Sequence, residues 1–251
     1  MNPGFDLSGK IALVTGSSRG LGAAIAEGLM AAGARVLLHG RDAAALAKAA
    51  EGRAGVAGTL AFDVTDAAAV RAAFGFIEAE HGRLDILVSN AGIIARKPVL
   101  ETSDESWQSV IDTNLTACFR LSREAARLMA PLGRGRIVVI SSIMGILARP
   151  TVPSYVTAKA GLHGLVRALA VELGAHGITV NAIAPGFVPT DFTAGLHGDA
   201  AFNAMIAART PLGRWGRAEE LAGPAVFLAS EAASYVTGHI LTVDGGLTAA
   251  L

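Results

Sequence analysis

Thr15-Gly16-Ser17-Ser18-Arg19-Gly20-Leu21-Gly22 lies between a short apolar run at 11–15 and an alanine-rich amphipathic stretch at 20–32. A strand, a glycine-rich turn and a helix in direct succession make a cradle for phosphate. Glycine lets the backbone turn tightly and come close to a pyrophosphate. The helix start that follows offers unpaired N–H groups and the positive end of its dipole. An ordinary glycine-rich turn is the plain alternative. The place behind a strand and before a helix favours the cradle.

The same alternation continues outward from this turn. Short apolar runs at 11–15, 35–39, 58–62, 84–89, 136–141, 178–183 and 240–243 read as strands buried on both faces. Amphipathic stretches at 20–32, 43–50, 67–81, 105–130, 154–175, 200–209 and 218–230 read as helices. Gly33, Gly82 and Gly177 stand where helices end, and Asp66 and Ser103 stand where N-caps belong. The predicted fold is therefore α/β: one Rossmann-type, doubly wound parallel seven-stranded sheet with helices on both faces, a single domain over 1–251. Ligands of such sheets bind beyond the carboxyl ends of the strands.

Composition sets the outer limits. The 251 residues are 52% hydrophobic and 17% charged, which excludes disorder as the main state. Basic and acidic residues number 21 each, so nothing here attracts nucleic acid or an anionic membrane. The lone Cys118 excludes a disulfide framework and a multi-cysteine metal site, and no metal is expected. The stretch from Met1 to Lys10 reads as no signal peptide, and no apolar run is long enough to span a bilayer. A cytoplasmic setting is the simplest expectation.

One helix face and one strand end carry chemistry on their own terms. Tyr155 and Lys159 are four residues apart, on one face of the helix at 154–175. Free tyrosine has a pKa of about 10, so it is a poor acid or base at neutral pH. A nearby ammonium lowers that value, which makes Tyr155 a general acid in ketone reduction and a general base in alcohol oxidation. A surface pair is the alternative. Strand 2 runs into Gly40-Arg41-Asp42. A carboxylate that would bind the ribose 2′-hydroxyl of NAD is missing from its end. Arg41, with Arg19 in the glycine turn, suits the 2′-phosphate of NADP instead. Pairing of Arg41 with Asp42, or of Arg19 elsewhere, is the competing reading.

The spacing G-x-x-x-G-x-G after Thr15 resembles the short-chain dehydrogenase/reductase family, and the likeness covers 7–246. It implies an NAD(P)-dependent oxidoreductase that interconverts a secondary alcohol and a ketone by hydride transfer. NADP is the expected cofactor, with NAD as the second choice. By resemblance the cofactor meets Gly16, Ser18, Arg19, Gly20, Leu21 and Gly22 in the turn and Arg41 after strand 2. It meets Asp63 and Val64 at the adenine, then Asn90, Ala91 and Gly92, where Ser89 departs from the family pattern. Pro185, Gly186, Val188 and Thr190 match the family motif at the carboxamide.

The catalytic set so implied is Asn114, Ser142, Tyr155 and Lys159. Asn114 matches the asparagine that holds a relay water, Ser142 stabilises the carbonyl oxygen, and Lys159 also holds the nicotinamide ribose. Within the family, His39-Gly40-Arg41, Ala148-Arg149-Pro150 and Arg214-Trp215-Gly216 are similar to gluconate 5-dehydrogenase-type members. Arg96 and Arg149 could hold a sugar-acid carboxylate, whereas Ile94, Ile143, Met144, Phe187 and Phe192 suggest an apolar pocket. A 3-oxoacyl thioester or another apolar ketone is therefore the alternative substrate. A non-catalytic dinucleotide sensor would not need Tyr155, Lys159, Ser142 and Asn114 together. Residues 192–202 read as a mobile flap inside a substrate-covering segment of about 187–215. The apolar elements near the C-terminus suggest a homotetramer.

Overall fold

The computed structural model describes residues 3–250. Met1 and Asn2, which open the stretch expected to carry no signal peptide, and Leu251, the last residue of the expected domain, lie outside the described residues. Seven strands form one sheet: β1 Ile11–Val14, β2 Arg35–Gly40, β3 Val56–Ala61, β4 Ile86–Ser89, β5 Gly135–Ile140, β6 Ile178–Pro185 and β7 Ile240–Val243. Every pairing is parallel, in the order β3-β2-β1-β4-β5-β6-β7. The order reverses between β1 and β4, which opens the crevice beyond their carboxyl ends where ligands of such sheets bind.

Nine α-helices flank the sheet among the described residues: α1 Gly20–Ala31, α2 Ala43–Ala50, α3 Ala67–His81, α4 Asp104–Ile111, α5 Ala117–Met129, α6 Pro153–Leu173, α7 Ala194–His197, α8 Ala200–Arg209 and α9 Ala222–Ala229. Two cores result. Phe74 and Ile77 of α3, Leu121 of α5 and Val166 of α6 pack on one face with Leu13, Leu87 and Val180. Ile25 and Leu29 of α1, Leu46 of α2 and Leu228 of α9 pack on the other with Val14, Leu38 and Val88. Every residue of β1, β4 and β5 is buried, which is why these strands appear in the sequence as nearly unbroken apolar runs.

Several expected elements are redrawn. The single helix at 105–130 is two helices joined by a π-turn, Asp112–Thr116, whose last N–H, that of Ala117, reaches back to the carbonyl of Asp112. The stretch 218–230 begins as a 3₁₀ turn, Ala218–Leu221, before α9. Its apolar face is taken up inside the chain: a side-chain carbon on Gly28 of α1 would stand 2.6 Å from Cβ of Ala222. β3 starts at Val56 instead of 58, with a register shift against Val36 and Leu37. The expected caps are present. Asp66 accepts from the N–H groups of Ala68 and Ala69, Ser103 accepts from Ser106, and Gly82 and Gly177 end their helices in the left-handed conformation. No helix of the described residues is long and apolar enough to cross a membrane.

Candidate active site

The glycine turn is locked to the end of β4. Thr15 Oγ1 accepts from the N–H groups of Asn90, at 2.9 Å, and Ala91, at 3.0 Å. Asn90 Nδ2 donates to the carbonyls of Thr15, at 2.9 Å, and Gly16, at 3.1 Å. Gly22 is closed in by the same turn. A side-chain carbon there would stand 2.2 Å from the Gly16 carbonyl oxygen and 2.6 Å from Asn90 Nδ2. Gly16 and Gly20 have φ of 63° and 59°, and the space above Gly20 is open. No side chain caps the start of α1 at Arg19. Its leading N–H groups therefore suit an anion, and the turn fits the pyrophosphate of a dinucleotide.

A buried histidine supports this turn from below. His39 Nδ1 accepts from the Gly16 N–H at 3.1 Å, which leaves Nε2 to donate to the Phe62 carbonyl at 3.2 Å. Burial pushes His39 down to about 4, so the ring is neutral. Sequence reasoning missed Thr15 and His39 as site residues. Their signal was a polar side chain at the end of an otherwise apolar strand.

At the end of β2, Asp42 is occupied. Its carboxylate caps α2 through the N–H groups of Ala44 and Ala45, at 2.9 and 3.1 Å. Arg41 makes no ion pair among the described residues. Arg19, in contrast, pairs with Asp191 at 2.7 Å on the surface. Asp63 binds the N–H and hydroxyl of Thr65 at 2.8 and 2.7 Å. These bonds, with the Arg41 charge as a smaller cause, hold its carboxyl below the usual value. The capping role of Asp63 is thus real. Val64 behind it is buried.

Asn114 sits in the π-turn and is 2% exposed. Its Oδ1 accepts from the Ile93 N–H and its Nδ2 donates to the Ile93 carbonyl, both at 2.8 Å. The side-chain amide therefore ties the turn to the segment after Gly92. A side-chain carbon on Gly92 would approach Asn114 Oδ1 to 3.0 Å. The π-turn explains how an asparagine is accepted inside a helix: its side chain bonds an outside strand end, and the turn widens around it.

The reactive groups meet at the end of β5. Ser142 Oγ accepts from the Met144 N–H at 3.1 Å, and its hydroxyl also bonds Tyr155. Tyr155, in the first turn of α6, lines the same cleft. Lys159 is 5% exposed, its Nζ donates to the Ile140 carbonyl at 2.8 Å, and it lies 5.5 Å from the centre of the Tyr155 ring. The expected lowering of the phenol pKa is not seen in this state. Burial pushes Tyr155 up to about 12, against a Ser142 hydrogen bond and the Arg96 charge, which both pull it down. Burial also pushes Lys159 down to about 8. Desolvation outweighs the attraction because the ammonium is turned to the Ile140 carbonyl.

The cleft encloses about 680 Å³ of empty space, open solvent included, and all six residues expected to meet substrate line it: Ile94, Arg96, Met144, Arg149, Phe187 and Phe192. Leu21, Pro185, Gly186, Val188 and Thr190 line it as well. Gly186 donates to the Val243 carbonyl at 2.9 Å, and Thr190 N–H donates to Thr193 Oγ1 at 2.9 Å. Arg96 donates to the Phe192 carbonyl, and the Arg149 guanidinium lies 5.7 Å from the Phe202 ring centre. Residues 192–202 are not plain loop. They hold α7 and the start of α8, which Asp199 caps through Ala201 and Phe202. Phe187, Phe202, Trp215 and His197 form an aromatic cluster beneath them, with ring centres 5.0–6.2 Å apart.

Residues 16–248 match the family described as enoyl-(acyl carrier protein) reductase. The gluconate 5-dehydrogenase of Gluconobacter oxydans (strain 621H) is 45% identical over 250 residues, 98% of each chain. The 3-oxoacyl-[acyl-carrier-protein] reductase FabG of Escherichia coli (strain K12) is 43% identical over 248 residues, 97% of this chain and 99% of that one. The crystal structure of a gluconate 5-dehydrogenase from Burkholderia cenocepacia J2315, in complex with NADP and tartrate, is 40% identical, with a TM-score of 0.96 over 99% of each chain.

Proposed function

The chain belongs to the short-chain dehydrogenase/reductase family of NAD(P)-dependent oxidoreductases, which act on alcohol and ketone groups, and from that premise we propose that it interconverts a hydroxy and a keto sugar acid with NADP preferred over NAD. One observation carries the substrate reading. Arg96 and Arg149 line the same cleft as Ser142 and Tyr155, so a carboxylate can be held while a ketone lies against the two hydroxyls. Identity alone does not separate the readings, since 45% and 43% stand for two substrate classes.

When bound, the nicotinamide supplies or accepts the hydride. The chain does the rest. Tyr155 gives its phenolic proton to the carbonyl oxygen in reduction and takes it back in oxidation. Ser142 donates to the same oxygen as negative charge grows on it. Lys159, now bonded to the Ile140 carbonyl, would hold the ribose hydroxyls of a bound cofactor and there bring its positive charge to the phenol. Gly16, Ser18, Gly20, Leu21 and Gly22 would hold the pyrophosphate of the dinucleotide. Arg41 would meet the 2′-phosphate, which its lack of an ion partner among the described residues supports, with Arg19 as a second cation, at present paired with Asp191. Asp63 and Val64 would hold the adenine side, and Asn90, Ala91, Gly92, Pro185, Gly186, Val188 and Thr190 the nicotinamide side. Any water relay at Asn114 rests on its peptide carbonyl, since the side chain serves Ile93.

The segment 187–215 closes over the substrate in this reading. The assembly is a homotetramer: β7 is an edge strand that remains half-exposed, and Tyr235 beside it stands wholly in solvent. The setting is the cytoplasm.

A second reading has its own support. Ile94, Ile143, Met144, Phe187 and Phe192 give the cleft an apolar wall suited to a 3-oxoacyl chain. Replacing both Arg96 and Arg149 with Ala separates the two. A charge-assisted contact is worth about 1.5–3 kcal/mol. KM for 5-ketogluconate is expected to rise about 10–100-fold with kcat little changed, while a 3-oxoacyl thioester is unaffected. Turnover of the thioester alone by the wild type would make the apolar wall the guide to substrate.

A further inference from the structure

Three residues climb one face of α6 toward the end of β5: Tyr155, Lys159 and His163, each four positions from the last. Tyr155 reaches Ser142, and Lys159 bonds the Ile140 carbonyl. His163 takes Ser141, the residue between those two and just past β5, with Nε2 2.8 Å from Ser141 Oγ. Ser141 Oγ in turn donates to the Lys159 carbonyl at 3.3 Å, so the histidine N–H is the donor to the serine. The reaction as described uses neither Ser141 nor His163.

The turn that follows rests directly on this ring. A side-chain carbon on Gly145 would lie 2.4 Å from Cε1 of His163 and 2.6 Å from its Nε2. Gly145 closes the 3₁₀ turn Ile143–Gly145, whose N-cap is Ser142. Met144 of the same turn lines the cleft and binds Ser142 Oγ through its N–H. His163 is 6% exposed. Burial, then the charges of Arg167 and Lys159, hold its pKa below the usual value, so at neutral pH it acts as a neutral hydrogen-bonding ring.

We propose that His163 is a positioning residue for the reaction: through Ser141 and Gly145 it fixes the turn that aims Ser142 at the carbonyl oxygen and at Tyr155. The inference rests on the oxidoreductase reading above, yet it can be tested without turnover. The chain has two tyrosines, Tyr155 at the site and Tyr235 in solvent. In ring-labelled tyrosine NMR, with Tyr155→Phe for assignment, His163→Leu is expected to move the Tyr155 resonance and leave Tyr235 in place. His163→Gln keeps an N–H at that distance and is expected to restore the signal.

Kinetically, His163→Leu is expected to lower kcat about 10–100-fold, the scale of a small misplacement of reacting groups, with NADPH affinity within about twofold of wild type. Ser141→Ala is expected to give the same loss, and the double variant no more than the larger single loss. An unmoved Tyr155 resonance with unchanged kcat in folded His163→Leu would overturn the proposal, and so would additive losses. Should that variant fail to fold, Ser141→Ala and His163→Gln read the same resonance and decide it. If the wild type reduced no ketone, the functional reading would fall, while the tyrosine resonance would still decide this one.

Discussion

Tyr155→Phe is expected to lower kcat for ketone reduction by about 10²–10⁴-fold, the usual contribution of a general acid, while NADPH binds as in the wild type. The substitution removes one oxygen and leaves the ring that lines the cleft. The direction of proton transfer follows from the pKa values. With the phenol pushed up to about 12, Tyr155 is protonated throughout the neutral range and ready to donate. Reduction is expected to weaken as the pH rises through about 8, where Lys159, pushed down by burial, loses the charge that helps the phenol give up its proton. Oxidation needs the phenolate, so its rate is expected to climb with pH over the same range. Steady-state kcat in both directions, with a fluorescence titration of NADPH, measures all of this. Full activity in Tyr155→Phe would remove the phenol from the chemistry.

Gly22→Ala is expected to abolish measurable cofactor binding, with a loss of at least about a hundredfold in affinity. The new carbon would stand 2.2 Å from a backbone oxygen of Gly16, and backbone cannot step aside as a flexible side chain can. It would also press on Asn90 Nδ2, which holds the Thr15 and Gly16 carbonyls. Overpacking of this kind costs about 1–3 kcal/mol of stability. A lower Tm of the free protein, together with loss of the upward Tm shift that NADPH gives the wild type, is the expected pair of readings. Normal NADPH affinity in Gly22→Ala would mean that the turn is looser than its contacts imply. Gly20, with open space above it, marks the contrast: it faces where a ligand can lie, while Gly22 faces the turn itself.

Much of this architecture was legible in the residues. The strands were, because burial on both faces forces unbroken apolar runs, and the caps Asp66, Ser103, Gly82 and Gly177 follow from local hydrogen bonding. The π-turn was not. A π-turn takes in only one extra residue, a small phase shift in a pattern that is amphipathic on both sides of it, and only Asn114, polar and internal, marked the place. The helix Ala194–His197 was hidden by Gly195 within it and Gly198 directly after it. At the site, spacing placed Ser142, Tyr155 and Lys159 together, but it could not show the depth of the pocket. Burial decides the resting pKa of Tyr155 and Lys159, and burial is a property of the assembled sheet and helices. Likewise the partner of Arg19 lies far off in sequence, and whether Asp42 is free to pair with its neighbour Arg41 depends on how α2 starts. Asp191 takes the first, and the α2 cap keeps Asp42 from the second.

The most direct measurement compares kcat/KM for NADPH and NADH in the reduction of 5-ketogluconate by the wild-type protein. A preference for NADPH of at least tenfold, narrowed by Arg41→Ala through loss of the NADPH reaction alone, is the expected result. Equal use of both cofactors, or a preference for NADH that Arg41→Ala leaves unchanged, would contradict the assignment of the NADP site.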